Sequence, residues 1–480
     1  MLTGSEMTRV DENAEALGVP RKQLMESSGN ALAREVRAAA DPGSRVVVVA
    51  GRGNNGGDAF VAARFLDDYE TEVCLLGRPE RITTRIAREN WDALQQGGYD
   101  TRVVSDSADF ALPDADVIVD AMLGTGVSGA LREPVATAAT QINAADATVV
   151  AVDVPSGLDA ETGERPELHV EADRVVTFHD EKPGLAELDA QITVADIGIP
   201  EAAELFVGPG DLGALDRAPD THKGDHGEVL VIGGGPYTGA PALSAQAALR
   251  GGADLARVAC PASIAREVQA TEESLIVRPL DGEIIEPAHV DFLLELAGEH
   301  DAVVLGPGLG DAEETLDAAR QFLSEFDGTA VVDADALQVV PEVETEATLV
   351  CTPHQGELRK MGGPAAENWR ERAEAVEKFA AEVGAVLLVK GRYDVVSNGE
   401  TTRVSRTGNP GMTVGGTGDV LAGITGALAC TLAPLDAAAV GAYVNGRAGD
   451  LARENVGGFG LLATDLLLRI PEATWGERDA

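Results

Sequence analysis

The sequence predicts an α/β protein of two domains, each built on a mostly parallel sheet. Three observations lead there. Short apolar runs of Val, Ala, Leu and Ile recur through the 480 residues, among 55 glycines. Such runs read as buried strands, and glycine permits the close turns that join strands to helices. Strand after strand empties into a loop carrying glycine and a polar side chain, the edge at which open α/β sheets bind ligands. Finally, Gly198, Pro200, Gly208-Pro209-Gly210 and Pro219 interrupt the chain where no long periodic element crosses. A boundary near 212 is therefore expected, giving domains 1–212 and 213–480.

Aromatic residues make up only 4% of the chain, so aliphatic side chains must fill the cores. No stretch is long enough to span a membrane, and Met1 to Val10 carries Glu6 and Arg9 with no apolar run. A cytoplasmic protein is expected. Cys74, Cys260, Cys351 and Cys430 lie far apart without a Cys-x-x-Cys pair, which reads as small core residues in a reducing compartment. The formal net charge of −43 excludes nucleic acid and anionic membranes as partners at ordinary salt. The acids are spread through both halves, which points to work in high salt, where the screening length falls to about 3 Å near 1 M. Lysine is scarce: Lys22, Lys182, Lys223, Lys360, Lys378 and Lys390 are all there are.

In chain order, residues 11–40 read as helices. Arg45 to Ala50 is a strand that runs into Gly51-Arg52-Gly53-Asn54-Asn55-Gly56-Gly57-Asp58 and a following helix. A glycine-rich turn at a helix N-terminus is the usual phosphate position of a doubly wound sheet, yet the spacing is not the dinucleotide fingerprint. A strand over 116–123 empties into Gly124-Thr125-Gly126-Val127-Ser128-Gly129-Ala130. Another, over 148–154, empties into Pro155-Ser156-Gly157-Leu158-Asp159. Three such loops on one edge make a site.

These motifs, with Asp120 and Lys182-Pro183-Gly184-Leu185, resemble the NAD(P)H-hydrate epimerase family over about residues 10–200. One departure is Ala59, where that family usually has glycine. The resemblance implies a Rossmann-like three-layer fold and a potassium ion held by Asn55, Asp120 and Ser156, hard oxygen donors suited to it. It implies substrate contacts at Asn54, Asn55, Gly56, Gly57 and Asp58, at Gly124, Thr125, Gly126, Val127, Ser128, Gly129 and Ala130, and at Asp153. Asp153 is the residue expected to transfer the proton.

The second domain alternates strand and helix from Val229 onward. Its strands end in Gly233-Gly234-Gly235, Gly306-Pro307-Gly308-Leu309-Gly310, Asp333-Ala334-Asp335, Thr352-Pro353-His354-Gln355-Gly356-Glu357 and Lys390-Gly391-Arg392-Tyr393-Asp394. No sequence repeat relates the two halves. The last loop, Gly408 to Gly418, then turns into a small-residue helix. Free backbone N–H groups at the positive end of a helix dipole form an anion site, and Thr417 is expected to add a hydroxyl donor. Asp419 beside an anion site repels a phosphate, so binding alone does not explain it. Taking a proton from an attacking hydroxyl does. A lysine kept at a strand end in so lysine-poor a chain favours a phosphate role for Lys390. His354 lies in a turn fixed by Pro353 and Gly356.

Together these stretches resemble the ADP- or ATP-dependent NAD(P)H-hydrate dehydratase family, a branch of the ribokinase-like fold, over about residues 216–475. The resemblance implies contacts of Ala240, Gly308, His354 and Asp419 with a hydrated nucleotide. It implies adenine-nucleotide contacts at Lys390, Gly391, Arg392, Tyr393, Asp394 and Gly418, with Mg2+ held largely by the phosphates. The expected whole is a pair of three-layer αβα domains, epimerase then dehydratase, assembled as a homo-oligomer. The alternatives are a small-molecule kinase with a fused regulatory domain, since the same fold serves kinases, and a first domain that is only a scaffold.

Overall fold

The computed structural model describes residues 1–476 apart from Val127, Ser128, Asp216, Pro219 and Glu367. The chain divides into two compact units, Met1–Ala203 and Glu204–Ala480.

The first unit opens with helices α1 (Gly4–Ala16) and α2 (Arg21–Ala39). Thr3 and Glu6 form a reciprocal capping box that fixes the start of α1. Seven strands follow: β1 (Arg45–Ala50), β2 (Glu70–Leu76), β3 (Asp100–Val104), β4 (Val117–Ala121), β5 (Thr148–Val152), β6 (Arg174–Phe178) and β7 (Gln191–Ala195). They pair in the order β3-β2-β1-β4-β5-β6-β7, every pair parallel. The Val-rich strands are continuous apolar runs because helices cover both faces. Val46 and Val48 feed one core and Val47 and Val49 the opposite one, as the two-residue period of a strand requires. Helix α3 (Asn54–Arg64) leaves the sheet directly after β1.

The second unit has nine strands: β8 (Glu228–Ile232), β9 (Leu255–Pro261), β10 (Ile276–Leu280), β11 (Ala302–Leu305), β12 (Thr329–Val332), β13 (Thr348–Cys351), β14 (Val386–Val389), β15 (Asp394–Ser397) and β16 (Thr402–Ser405). Their order is β10-β9-β8-β11-β12-β13-β14-β15-β16. Pairing is parallel as far as β14, and β15 and β16 add an antiparallel edge. From its first strand the sheet winds outward as in the first unit, although no sequence repeat announces it. On one face, helices Gly239–Arg250 and Thr417–Ala429 cross at a point only glycine allows: a Cβ on Gly423 would lie 2.0 Å from Ser244 O.

Residues 204–212 belong with the second unit, so the compact units part at Ala203 and not at the expected 212. The Val207 N–H donates to Val404 O at 3.0 Å, and Asp211 pairs with Arg403 at 2.8 Å, both groups nearly buried. Glycine and proline marked a break in periodicity, but strand-edge pairing, invisible in local sequence, decides which side holds the segment. Cys74, Cys260 and Cys351 are free and buried in β2, β9 and β13. Among the described residues, no helix is long and apolar enough to cross a membrane.

Candidate active sites

In the first unit the winding reverses between β1 and β4, so the loops after them diverge and leave a crevice. Asn55, in the first turn of α3, ties the crevice together. Its Nδ2 donates to Leu123 O at 2.9 Å, after β4, and to Val152 O at 2.8 Å, at the end of β5. Gly124 must be glycine here, because a Cβ would lie 2.5 Å from Asn55 Oδ1.

Asp120 is fully buried at the end of β4. It accepts from Ser156 N at 2.8 Å, Ser156 Oγ at 2.7 Å and Met122 N at 3.2 Å. Burial raises its pKa to about 6, opposed only by those hydrogen bonds and by no cation. Ser156 thus meets Asp120 directly, and Leu123, whose N–H donates to Ser156 Oγ at 3.0 Å, carries the carbonyl that Asn55 holds.

Asp153 follows β5 with φ of 66°, a left-handed conformation that Asp tolerates better than most residues. Its Oδ1 accepts from Thr177 Oγ1 at 3.0 Å and pairs with Lys182 Nζ at 3.0 Å. Lys182 is only 1% exposed and also donates to Phe178 O at 2.8 Å and Asp180 O at 3.1 Å, so its three N–H bonds are all used. Two further carboxyls face this pair. Asp58, on α3, is 7% exposed, and its pKa is raised well above the usual range by burial, then by Asp153 and Asp11. Asp11, on α1, is raised to about 6 by burial, against the pull of Arg21, His179 and Lys182.

The remaining expected contacts fall around the same crevice. Asn54 is exposed and accepts from Thr84 Oγ1 at 2.9 Å. Gly56 and Gly57 are buried against Gly51 O and Met25 and serve packing of the turn. Gly124 and Thr125 are half-buried, Gly126, Gly129 and Ala130 are exposed, and Val127 and Ser128 lie outside the described residues. Sequence reasoning passed over Lys182, Thr177 and Asp11 as site residues. The argument from lysine scarcity that singled out Lys390 applies equally to Lys182.

In the second unit, helix Thr417–Ala429 starts after Gly416, whose φ of 97° only glycine adopts readily, and no side chain caps it. Its first N–H groups remain available to an anion. Thr417 corrects its expected role: its hydroxyl donates to Met412 O at 3.0 Å and Val414 O at 3.2 Å, so it shapes the loop and has no proton for a ligand. Lys390, at the end of β14, reaches the helix start, where a Cβ on Gly418 would lie 3.2 Å from its Nζ. Nζ bonds Asp333 Oδ1 at 2.9 Å, which also accepts from the buried Thr352 hydroxyl at 2.7 Å, and lies 3.7 Å from Glu357 Oε2. Burial, then the charge of Asp333, raises the Asp419 carboxyl to about 7, with Lys390 pulling the other way.

Ser244 Oγ donates to Asp419 O at 2.7 Å, tying Asp419 to the helix that carries Ala240. Ala240 and Gly308 meet where the loops after β8 and β11 touch: a Cβ on Gly308 would lie 3.1 Å from Ala240 Cβ. Beside them opens a cavity of about 680 Å³ lined by Gly235, Tyr237, Leu309, Asp311 and Asp335 among others. His354 is exposed, and its Nδ1 accepts from the N–H groups of Gly356 and Glu357, capping the helix Gln355–Lys360. In the turn after Lys390, Asp394 Oδ1 accepts from Gly391 N at 2.8 Å. The Tyr393 ring stacks on Trp369 with centroids 5.3 Å apart, leaving Arg392 as the exposed side chain of the run. Asp333, Thr352 and Glu357, which organise Lys390, were visible only as loop residues.

A family model described as NAD(P)H-hydrate dehydratase matches residues 229–472, and one described as YjeF-related protein N-terminus matches residues 21–184. A protein named bifunctional NAD(P)H-hydrate repair enzyme Nnr from Methanothermobacter thermautotrophicus is 45% identical, over 97% of this chain and 94% of its own. The protein of the same name from Pyrobaculum aerophilum is 46% identical, over 98% of this chain and 97% of its own. Among solved structures, a ribokinase-like superfamily protein from Enterococcus faecalis V583 superposes with a TM-score of 0.50 at 22% identity. It covers 57% of this chain and 95% of its own, a likeness of fold.

Proposed function

From the chain's membership of the family of bifunctional NAD(P)H-hydrate repair enzymes, we propose how its two units divide the work. The first interconverts the R and S hydrates of NADH or NADPH. The second dehydrates the S form at the expense of ADP or ATP. Hydration of the dihydronicotinamide's enamine double bond places a hydroxyl on the ring carbon bonded to nitrogen, and that carbon becomes the stereocentre.

In the second unit, Asp419 takes the hydroxyl proton while the oxygen attacks the terminal phosphoryl group of the nucleotide. Lys390 and the N–H groups at the start of helix Thr417–Ala429 offset the charge that builds on the phosphoryl oxygens. The nucleotide leaves one phosphate shorter. The C–O bond of the new ester then breaks with the help of the ring nitrogen lone pair, phosphate departs, and loss of a proton from the adjacent carbon restores the double bond. The observation carrying this reading is a carboxylate and a lysine meeting at one uncapped helix start.

Two ions fit the residues present. Asp120 is a buried carboxylate without a cationic partner among the described residues, hydrogen-bonded to Ser156, whose Oγ also accepts from Leu123 N, while Asn55 holds the carbonyls of Leu123 and Val152. Potassium bound there would neutralise Asp120 and fix the loops around Asp153. Asp333 and Glu357 present carboxylate oxygens beside Lys390, the donor class of Mg2+. That ion would shield the phosphates.

The test is incubation of mixed hydrate epimers with ADP or ATP, followed by separation of products. The expected outcome is loss of both epimers with free phosphate and NAD(P)H. A stable phosphate ester would mean a kinase. Salt offers a separate check: the charge of −43 repels itself in dilute buffer, and screening relieves it. The thermal midpoint is expected to climb steeply between dilute buffer and molar KCl, and an unchanged midpoint would end the high-salt reading.

A further inference from the structure

The epimerase chemistry needs two proton-transfer groups, and the first unit holds two carboxyls in opposite circumstances. Asp153 is braced by a buried lysine and a threonine hydroxyl. Asp58, 7% exposed, has no hydrogen-bond or ion-pair partner among the described residues. A buried carboxyl without a partner is costly as an anion, and a neutral acid is the form such a place selects. Among the described residues, the charged groups acting on Asp58 are Asp153 and Asp11, both carboxyls. Asp11 in turn is acted on by Arg21, His179 and Lys182. One carboxyl held by a lysine and a hydroxyl, and a second with no partner among the described residues, suit the two roles of base and acid.

We propose that Asp58 is the general acid of the epimerase reaction, opposite Asp153 as the base. The proposal rests on the epimerase reading of this unit. Asp58 gives its proton to the ring hydroxyl. The C–O bond breaks with its electron pair and water leaves, while the ring nitrogen lone pair closes a C=N bond. A water on the other face adds to the same carbon as Asp153 accepts its proton, and the C=N pair returns to nitrogen. The proton passes from Asp153 back to Asp58 through water. Nothing is oxidised or reduced, and the product is the other epimer.

The experiment follows the R epimer by chromatography, with and without ADP, in the full chain and in Asp58→Asn. Asparagine keeps the shape and the hydrogen-bonding capacity but carries no transferable proton. The expected result is a fall in kcat for interconversion on the order of 10²- to 10⁴-fold with KM little changed. Consumption of the S epimer with ADP serves as the control that the chain is intact. In the parent, kcat should fall as the pH rises through the raised pKa of Asp58, and Asp58→Asn should lack that limb. The parent's profile stands even if the variant does not fold, and a parent kcat that never falls as the pH rises overturns the assignment. An Asp58→Asn protein with the parent's kcat, or with a raised KM alone, overturns it too. A parent chain no faster than spontaneous epimerisation overturns the epimerase reading and this proposal with it.

Discussion

Asp419→Asn is expected to lower kcat for dehydration on the order of 10²- to 10⁴-fold while R–S interconversion continues at the parent rate. The amide keeps the volume of the carboxyl and cannot accept the hydroxyl proton. Because burial and Asp333 raise Asp419 to about 7, the base is half protonated near neutrality, and the parent's dehydration rate should rise with pH through about 7. The variant should lose that rise. Stability gives the opposite sign. A carboxyl whose folded pKa lies above its unfolded value disfavours folding once the pH passes the unfolded value, and increasingly so up to the folded one. At pH 8 the variant should therefore melt no lower than the parent. A variant that dehydrates at close to the parent rate would reduce Asp419 to an ornament of the helix start.

Asp153→Asn should stop interconversion and leave the R epimer to spontaneous epimerisation, while the S epimer disappears at the parent rate. Asparagine is a better probe than alanine, because φ of 66° suits Asn and strains Ala. A fold penalty is also expected. Lys182, 1% exposed, keeps only carbonyl partners, and removing one member of a buried ion pair costs about 3–5 kcal/mol. Asp153→Asn combined with Lys182→Met should regain stability, measured as the denaturation midpoint, without regaining interconversion. A double variant that epimerises would remove Asp153 from the chemistry.

The strand-end loops were legible because each carries its signal within a few residues: an apolar run, a glycine, a polar side chain. A doubly wound α/β sheet in each unit follows from that pattern, whereas the Rossmann-like and ribokinase-like types and the grouping of Asn55 with Asp120 and Ser156 were implied by the resemblance to the two families. What escaped was the pairing of residues distant in sequence. Lys182 is 29 positions from Asp153, and Asp333 is 57 from Lys390; no local period reports that a lysine on one loop ends against a carboxylate on another. Asp58 shows the limit in another form. Its place in the Asn-Asn-Gly-Gly-Asp turn was plain, but its lack of a partner among the described residues is a property of the packed interior. Thr417 was misjudged for a related reason, since a hydroxyl beside a glycine loop reads as a ligand donor until the carbonyls of Met412 and Val414 are seen to claim it.

The scarcity of lysine gives the chain an unusual chemical addressability. Lys22, Lys223, Lys360 and Lys378 are exposed, whereas Lys182 is enclosed and Lys390 is held between carboxylates at 19% side-chain exposure. An amine-reactive ester or an activated bead would therefore couple through those four side chains, sparing Lys182 and Lys390. Immobilised in that way, the protein would be tethered by a few defined anchors.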